Sequence, residues 1–174
     1  MTERYCGDGE SELPIDFFYV DLSECGRCQS SDGALDEALR ELRERIHQNG
    51  ISTISIKKTK ITSDRQAKRY GVKRSPTLRI DGRDIEEIVN EEYEVKDSYC
   101  PSCEDVTGPD CDDVTGGGND CRVFEYEGKS YETIPKEMIK EALMKTVGIE
   151  ESSSSCCGPD ESTSSCCEPD ETCC

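Results

Sequence analysis

The chain has 174 residues, 13 of them cysteine; it is only 33% hydrophobic, with a mean hydropathy of −0.74 and a net charge of −18. That length suits one domain with tails, and so small an apolar fraction supports a single modest core with the rest in loop or disorder. No apolar run approaches the roughly 18–20 residues that span a bilayer, and the acidity speaks against nucleic acid, whose phosphates are held by clustered Lys and Arg.

The opening stretch, MTERYCGDGESELP, lacks the basic end and the apolar run of a signal peptide, so a cytoplasmic protein is expected. In a reducing cytosol so many thiols suit redox or metal work better than structural disulfides. Their number is odd, so they cannot all pair within one chain. Charge is spread unevenly: residues 32–83 are net basic by six, residues 84–125 net acidic by twelve, and residues 150–174 hold seven acidic groups and no basic one. The plain reading of that acidity is solubility, with adaptation to a salty cytosol.

Taken in order, residues 1–12 read as a flexible N-terminus. IDFFYV at 15–20 is short, aromatic and β-branched, which predicts a buried strand entered through Pro14. Cys25-Gly-Arg-Cys28 follows. Ala34, Leu35, Ala38, Leu39, Leu42 and Ile46 recur at helical spacing, and Asn49-Gly50 ends that helix. ISTISI at 51–56 alternates apolar and polar residues and predicts a second strand. Asp64 is placed to cap a short helix over 65–70 that Gly71 stops. SPTLRIDGRDIEEI at 75–88 predicts a hairpin turning at Asp81-Gly82, because Asp-Gly suits a tight primed turn. RVFEYEGKSYE at 122–132 predicts another at Glu127-Gly128. Pro135 suits the start of a last helix, whose apolar face is Met138, Ile139, Ala142, Leu143 and Val147 and whose end is Gly148.

Two stretches differ in kind. Residues 97–121 form a Cys-rich insert, dense in Asp and Gly, in which EDVTG at 104–108 recurs as DDVTG at 112–116. Residues 150–174 carry a ten-residue repeat, SSSSCCGPDE then STSSCCEPDE, with no apolar periodicity; a disordered tail is expected. The order β–CxxC–α–β–α–β–β–insert–α reads as a compact α/β domain over residues 13–149, with a right-handed crossover between its first two strands.

C-x-x-C at the end of the first strand, together with KRYGVKRSPTLRIDGR at 68–83, resembles thioredoxin-like proteins. The whole pattern is similar to an uncharacterised prokaryotic thioredoxin-like family of unknown function. The resemblance implies a thioredoxin-like three-layer sandwich with a mixed sheet. It also implies that Pro76 is cis and faces the C-x-x-C, with Ser75 before it and Thr77 after it. Two departures stand out: Gly26-Arg27 replaces the Gly-Pro of thioredoxin, and no Trp precedes the motif because the chain has none.

The chemistry implied is thiol–disulfide exchange. Cys25, at a helix N-terminus, would be the nucleophile, its thiolate favoured by free N–H groups and by Arg27, and opposed by Glu24. Cys28 would resolve the mixed disulfide, and Pro76 would offer the backbone of Ser75 to an extended substrate. The partners expected are a protein or small-molecule disulfide and a thiol reductant, with no cofactor required, and neither nucleic acid nor membrane.

The alternative is a soft-metal or metalloid carrier for Zn, Cu(I), Hg or As(III). Cys100, Cys103, Cys111 and Cys121 supply enough thiolates for a tetrahedral zinc site; an iron–sulfur cluster fits by ligand count, but the spacing matches neither ferredoxin pattern, and redox disulfides there are the competing reading. A relay from these cysteines to Cys25–Cys28 is a further option. The tail offers Cys156-Cys157, Cys166-Cys167 and Cys173-Cys174. Adjacent Cα atoms lie about 3.80 Å apart, below the usual disulfide range of roughly 4.4–6.8 Å, so such pairs suit a soft ion better than an internal bridge. A third reading makes the fold an adaptor docked through its acidic insert. The lone His47, near a helix end, is read as satisfying the last carbonyls.

Overall fold

The computed structural model describes residues 11–100 and 120–150. The flexible N-terminus, the interior of the insert and the disordered tail expected from sequence lie outside them, apart from Ser11, Glu12 and Glu150.

The chain is a mixed α/β structure built on a four-stranded sheet in the order β2-β1-β3-β4. Strand β1 (Glu12–Tyr19) pairs in parallel with β2 (Thr53–Lys60) and antiparallel with β3 (Thr77–Ile80), which turns into β4 (Arg83–Asp84). The two faces of this inner strand meet different surroundings. Accordingly, Leu13, Ile15 and Phe17 of β1 enter one core cluster, while Phe18 and the following Val20 enter another. The edge strand β2 carries exposed Lys57, Lys58 and Lys60, charges that keep a bare edge from pairing with another chain.

Helix α1 (Gly26–Gln48) joins β1 to β2 and buries Leu35, Ala38, Leu39, Leu42 and Ile46 along one stripe. It begins earlier than its apolar periodicity suggests, because Cys25 itself is the N-cap. Helix α2 (Asp64–Tyr70) is capped by Ser63, whose hydroxyl accepts from the Gln66 N–H; Asp64, expected as the cap, lies one residue inside and serves the dipole from the first turn. Residues 85–88, expected in the second strand of a hairpin, instead belong to a short helix α3 (Ile85–Val89). Asp84 caps it by accepting from the Glu86 N–H, and so cuts β4 to two residues. The Asp81-Gly82 turn is as expected, with φ of 51° and 76°.

A second, antiparallel sheet has the order β5-β6-β7. Its members are β5 (Lys96–Tyr99), β6 (Asp120–Tyr126) and β7 (Lys129–Tyr131), the last two turning at Glu127-Gly128. Strand β5 lies at the start of the insert, in a stretch sequence reading assigns to loop. Helix α4 (Lys136–Val147) has Pro135 as its N-cap and Gly148 as its C-cap. Its Met138, Ile139, Ala142 and Leu143 pack with the α1 stripe, the odd face of β1 and Phe124 of β6 in the larger core. The buried Ser31 hydroxyl of α1 accepts from the Ile134 N–H and fixes the entry to α4. His47 Nδ1 lies 2.7 Å from the Ile51 carbonyl oxygen, one turn beyond the helix rather than on its last carbonyls.

Gly33 sits exposed inside α1 with no atom within 4 Å of the place a Cβ would take. Since Gly costs a helix interior about 0.5–1 kcal/mol relative to Ala, Gly33→Ala should stabilise the fold by that amount, read as a raised urea midpoint with an unchanged slope.

A candidate thiol site where two sheets meet

The turn before α1 is set by one carboxylate. Asp21 accepts from the Ser23 N–H, the Ser23 hydroxyl and the Glu24 N–H, and its other oxygen from Lys60. The Ser23 hydroxyl, then Lys60 and the two backbone donors, hold the Asp21 carboxyl well below the ordinary carboxylate range despite partial burial. The chain therefore leaves β1 in a tight loop that delivers Cys25 to the N-cap of α1.

There the Cys25 Sγ accepts from the Cys28 N–H at 3.5 Å, a side-chain cap made by sulfur. Cys28 Sγ stands 3.4 Å from the Ser75 hydroxyl, which also accepts from the Val20 N–H at 3.2 Å. The Ser75–Pro76 bond is cis, as the resemblance implies. The Cys28 thiol is held well above its ordinary value, first by its hydrogen bond with Cys25. Burial and the repulsion of a Cys25 thiolate add to this, while Ser75 partly opposes it.

Two features are not those expected. Both cysteines of the motif are fully buried, and the Ser75 carbonyl already accepts a hydrogen bond from the Arg122 N–H at 2.9 Å. The backbone acceptor that an extended substrate would use is thus occupied by the chain's own strand β6. One residue before Arg122 is Cys121, buried like Cys100. The sulfurs of Cys25, Cys100 and Cys121 all lie within 4.8 Å of one another. The insert's first and last cysteines therefore meet the C-x-x-C; Cys103, Cys111 and the six tail cysteines lie outside the described residues.

Two arginines hold this arrangement. Arg27, inside the motif, is buried, and its guanidinium donates to the carbonyls of Ser98 (3.3 Å), Tyr99 (2.9 Å) and Cys121 (3.5 Å) and to the Glu132 carboxylate (2.8 Å). Its fork is spent on strands β5 and β6, so it acts as a clasp on the insert's base as well as a cation beside the motif. Arg122 is also buried. It binds both oxygens of Asp84 at 2.8 and 2.6 Å, Glu86 at 2.6 Å and the Thr77 hydroxyl at 3.2 Å, and its guanidinium carbon lies 4.7 Å from the Phe124 ring centroid.

Sequence reading singled out Cys25, Cys28, Pro76 and their neighbours, and offered a relay from the insert's cysteines to the C-x-x-C without saying which of them would take part. The signal that could have joined them was the strand-like alternation of CRVFEY at 121–126, which makes Cys121 the beginning of a strand rather than a loop residue. A cleft of about 430 Å³ near the cis-proline is lined by Arg74, Thr77, Arg79, Tyr93 and Arg122, with no cysteine among the described residues of its walls.

Residues 13–143 match the family described as a domain of unknown function (DUF2703), and the chain belongs to that family. No curated protein and no solved structure matches the chain. Among the described residues no helix is long and apolar enough to cross a membrane.

Loss of the Arg27 side chain removes four hydrogen bonds, of which the one to the Cys121 carbonyl is buried, and a bond from a charged donor is worth about 1.5–3 kcal/mol. Arg27→Ala should lower stability by at least that much and speed alkylation of Cys121 in the folded, reduced protein, as peptide mapping would show. The raised Cys28 thiol gives a second expectation. Its contribution is complete below the ordinary thiol value of 9.0 and is lost as pH climbs towards the folded value. The stability of the reduced protein should therefore decline above pH 9, and Cys28→Ala should remove that slope in urea titrations at stepped pH.

Proposed function

We propose that this protein is a thioredoxin-like thiol–disulfide oxidoreductase in which Cys25 is the nucleophile and Cys28 the resolving thiol. One observation carries the reading: Cys25 caps α1 with its sulfur towards the Cys28 N–H, beside the cis Ser75–Pro76 bond. A sulfur at a helix N-terminus faces unsatisfied N–H groups and the positive end of the dipole, which favour a thiolate there.

The exchange runs in two displacements. The Cys25 thiolate attacks one sulfur of a disulfide, forming a mixed disulfide and releasing the other sulfur as a thiolate that takes a proton. Cys28 then loses its proton and attacks the Cys25 sulfur. The second substrate thiol leaves, and a Cys25–Cys28 disulfide remains. Two electrons pass from the pair to the substrate, and a thiol reductant restores the pair by the reverse steps. The raised Cys28 thiol fits the order, because it stays protonated until the mixed disulfide has removed the anionic Cys25.

Burial decides what reaches Cys25. With β5 and β6 seated, Cys100 and Cys121 stand where a substrate's sulfurs would, and Arg122 fills the backbone position beside Pro76. Cys100 and Cys121 are thiols here, not a disulfide; once an outside partner oxidises them to one, it would be the first disulfide that Cys25 meets, and the insert would carry oxidising equivalents from that partner to the buried pair. Cys25→Ser should abolish catalysed reduction of a small test disulfide, down to the rate of the reductant alone. Full activity in that variant would contradict the proposal. The wild-type pair should also titrate reversibly against glutathione within roughly −200 to −320 mV.

A further inference from the structure

The sequence suggests a soft-ion site made from the insert alone or from the tail; the geometry points to a different set of ligands. We propose that Cys25, Cys100 and Cys121 form a three-sulfur site for a trivalent thiophilic ion, of which As(III) is the type. It goes beyond the exchange reaction and needs only that the three thiols be reduced.

The distances come first. Three sulfurs sharing one ion at about 2.3 Å lie at most about 4.0 Å apart, and closer still in a pyramid. The three sulfurs here lie within 4.8 Å of one another, so closing them on an ion takes a movement on the order of an ångström, within the reach of side-chain rotation. They come from three separate points of the chain: the N-cap of α1, the end of β5 and the start of β6. Hydrogen bonds from Arg27 to Tyr99 and Cys121 and from Arg122 to Ser75 hold those points together.

Coordination number comes second. Structural zinc takes four protein ligands. Among the described residues the group that could hold an ion has three members; Cys28, the remaining cysteine, lies outside it, engaged with the Ser75 hydroxyl and with Cys25. Three thiolates complete the shell of a trivalent pnictogen ion, whose lone pair fills the fourth direction.

Charge decides between ions. The cysteines are buried with Phe18, Val20, Ile61, Ala67 and Val72, and the guanidinium nearby, Arg27, is already balanced by Glu132. Three thiolates around Cu(I) would carry two negative charges and around Zn(II) one, and burying an unpaired charge is costly. Around As(III) they carry none. The reaction also balances without net charge: As(OH)₃ and three thiols give the tris-thiolate complex and three waters, with no proton released. Softness then favours sulfur over any oxygen ligand.

The two roles share Cys25 and exclude each other in time. A Cys25–Cys28 disulfide removes one ligand of three, so oxidation would release the ion. Cys28 separates them, since exchange requires it and the ion does not.

The test uses the full chain with the other nine cysteines (Cys6, Cys103, Cys111 and the six of the tail) changed to serine, so that Cys25, Cys28, Cys100 and Cys121 remain. Arsenite is titrated into the reduced protein and followed by sulfur-to-arsenic absorption, and the arsenic–sulfur coordination number is measured by X-ray absorption. The expected result is one equivalent bound through three sulfurs, kept when Cys28→Ser is added and weakened at least tenfold by Cys100→Ser or Cys121→Ser. Two sulfurs, with loss on Cys28→Ser and retention on Cys121→Ser, would assign the ion to the C-x-x-C alone and overturn the proposal. So would Zn(II) displacing arsenite at equal concentration. Because the coordination number is read on the unsubstituted trio, a variant that fails to fold does not decide the matter. Disulfide reduction measured in the four-cysteine protein, which keeps Cys28, tells failure of the ion site from failure of the exchange reaction.

Discussion

Everything distinctive in this site depends on where strand β6 lies, and the buried Arg122 does most to put it there. Arg122 binds Asp84 through two parallel hydrogen bonds and Glu86 through a third, while its own N–H takes the Ser75 carbonyl. Side chain and backbone thus anchor β6 at two points to the β3–β4 hairpin and its cis-proline. A buried guanidinium with one acidic partner removed typically costs a protein about 3–5 kcal/mol, so β6 has no inexpensive alternative position. Cys121 precedes Arg122 and is carried against Cys25 by the same anchoring. The Cys28 N–H, the Ser75 hydroxyl and the Arg27 guanidinium then complete the surroundings of the four sulfurs.

The consequence is an inward-facing thiol site. An oxidoreductase that meets its substrates directly needs an open nucleophile beside an open backbone acceptor; here the sulfur is buried and the acceptor engaged. That combination favours chemistry between parts of one chain, whether disulfide exchange with the insert or shared ligation of an ion. Both uses draw on the same physical fact, three thiols held together away from water. They differ in whether Cys28 takes part.

Much of the framework was legible in the sequence because it rests on local rules. The apolar spacing from Leu35 to Ile46, the Asp81-Gly82 and Glu127-Gly128 turns, and Gly71 and Gly148 at helix ends each need only a few neighbouring residues; the cis bond at Pro76 was expected from the resemblance alone. Two errors were local competitions: Ser63 outbid Asp64 as a cap, and Asp84 capped a helix where a strand was expected. The site was less legible because its contacts are distant in sequence. Nothing near Cys121 says that its partner lies 96 positions earlier at Cys25. Arg27 reads as a cation beside the thiolate and Arg122 as an ordinary surface charge until their acceptors come into view. The alternation at the start of CRVFEY was the one local clue that Cys121 belongs to a strand.

The most direct test of the claim that the insert and the C-x-x-C make one site is disulfide mapping in a protein that cannot resolve. Full-length Cys28→Ser, treated with one equivalent of a mild oxidant and digested under acid quench, should yield Cys25 linked to Cys121 or Cys100 as its main disulfide. If Cys25 stays a thiol while Cys100 and Cys121 bond only to other cysteines of the insert or tail, the two do not form one site.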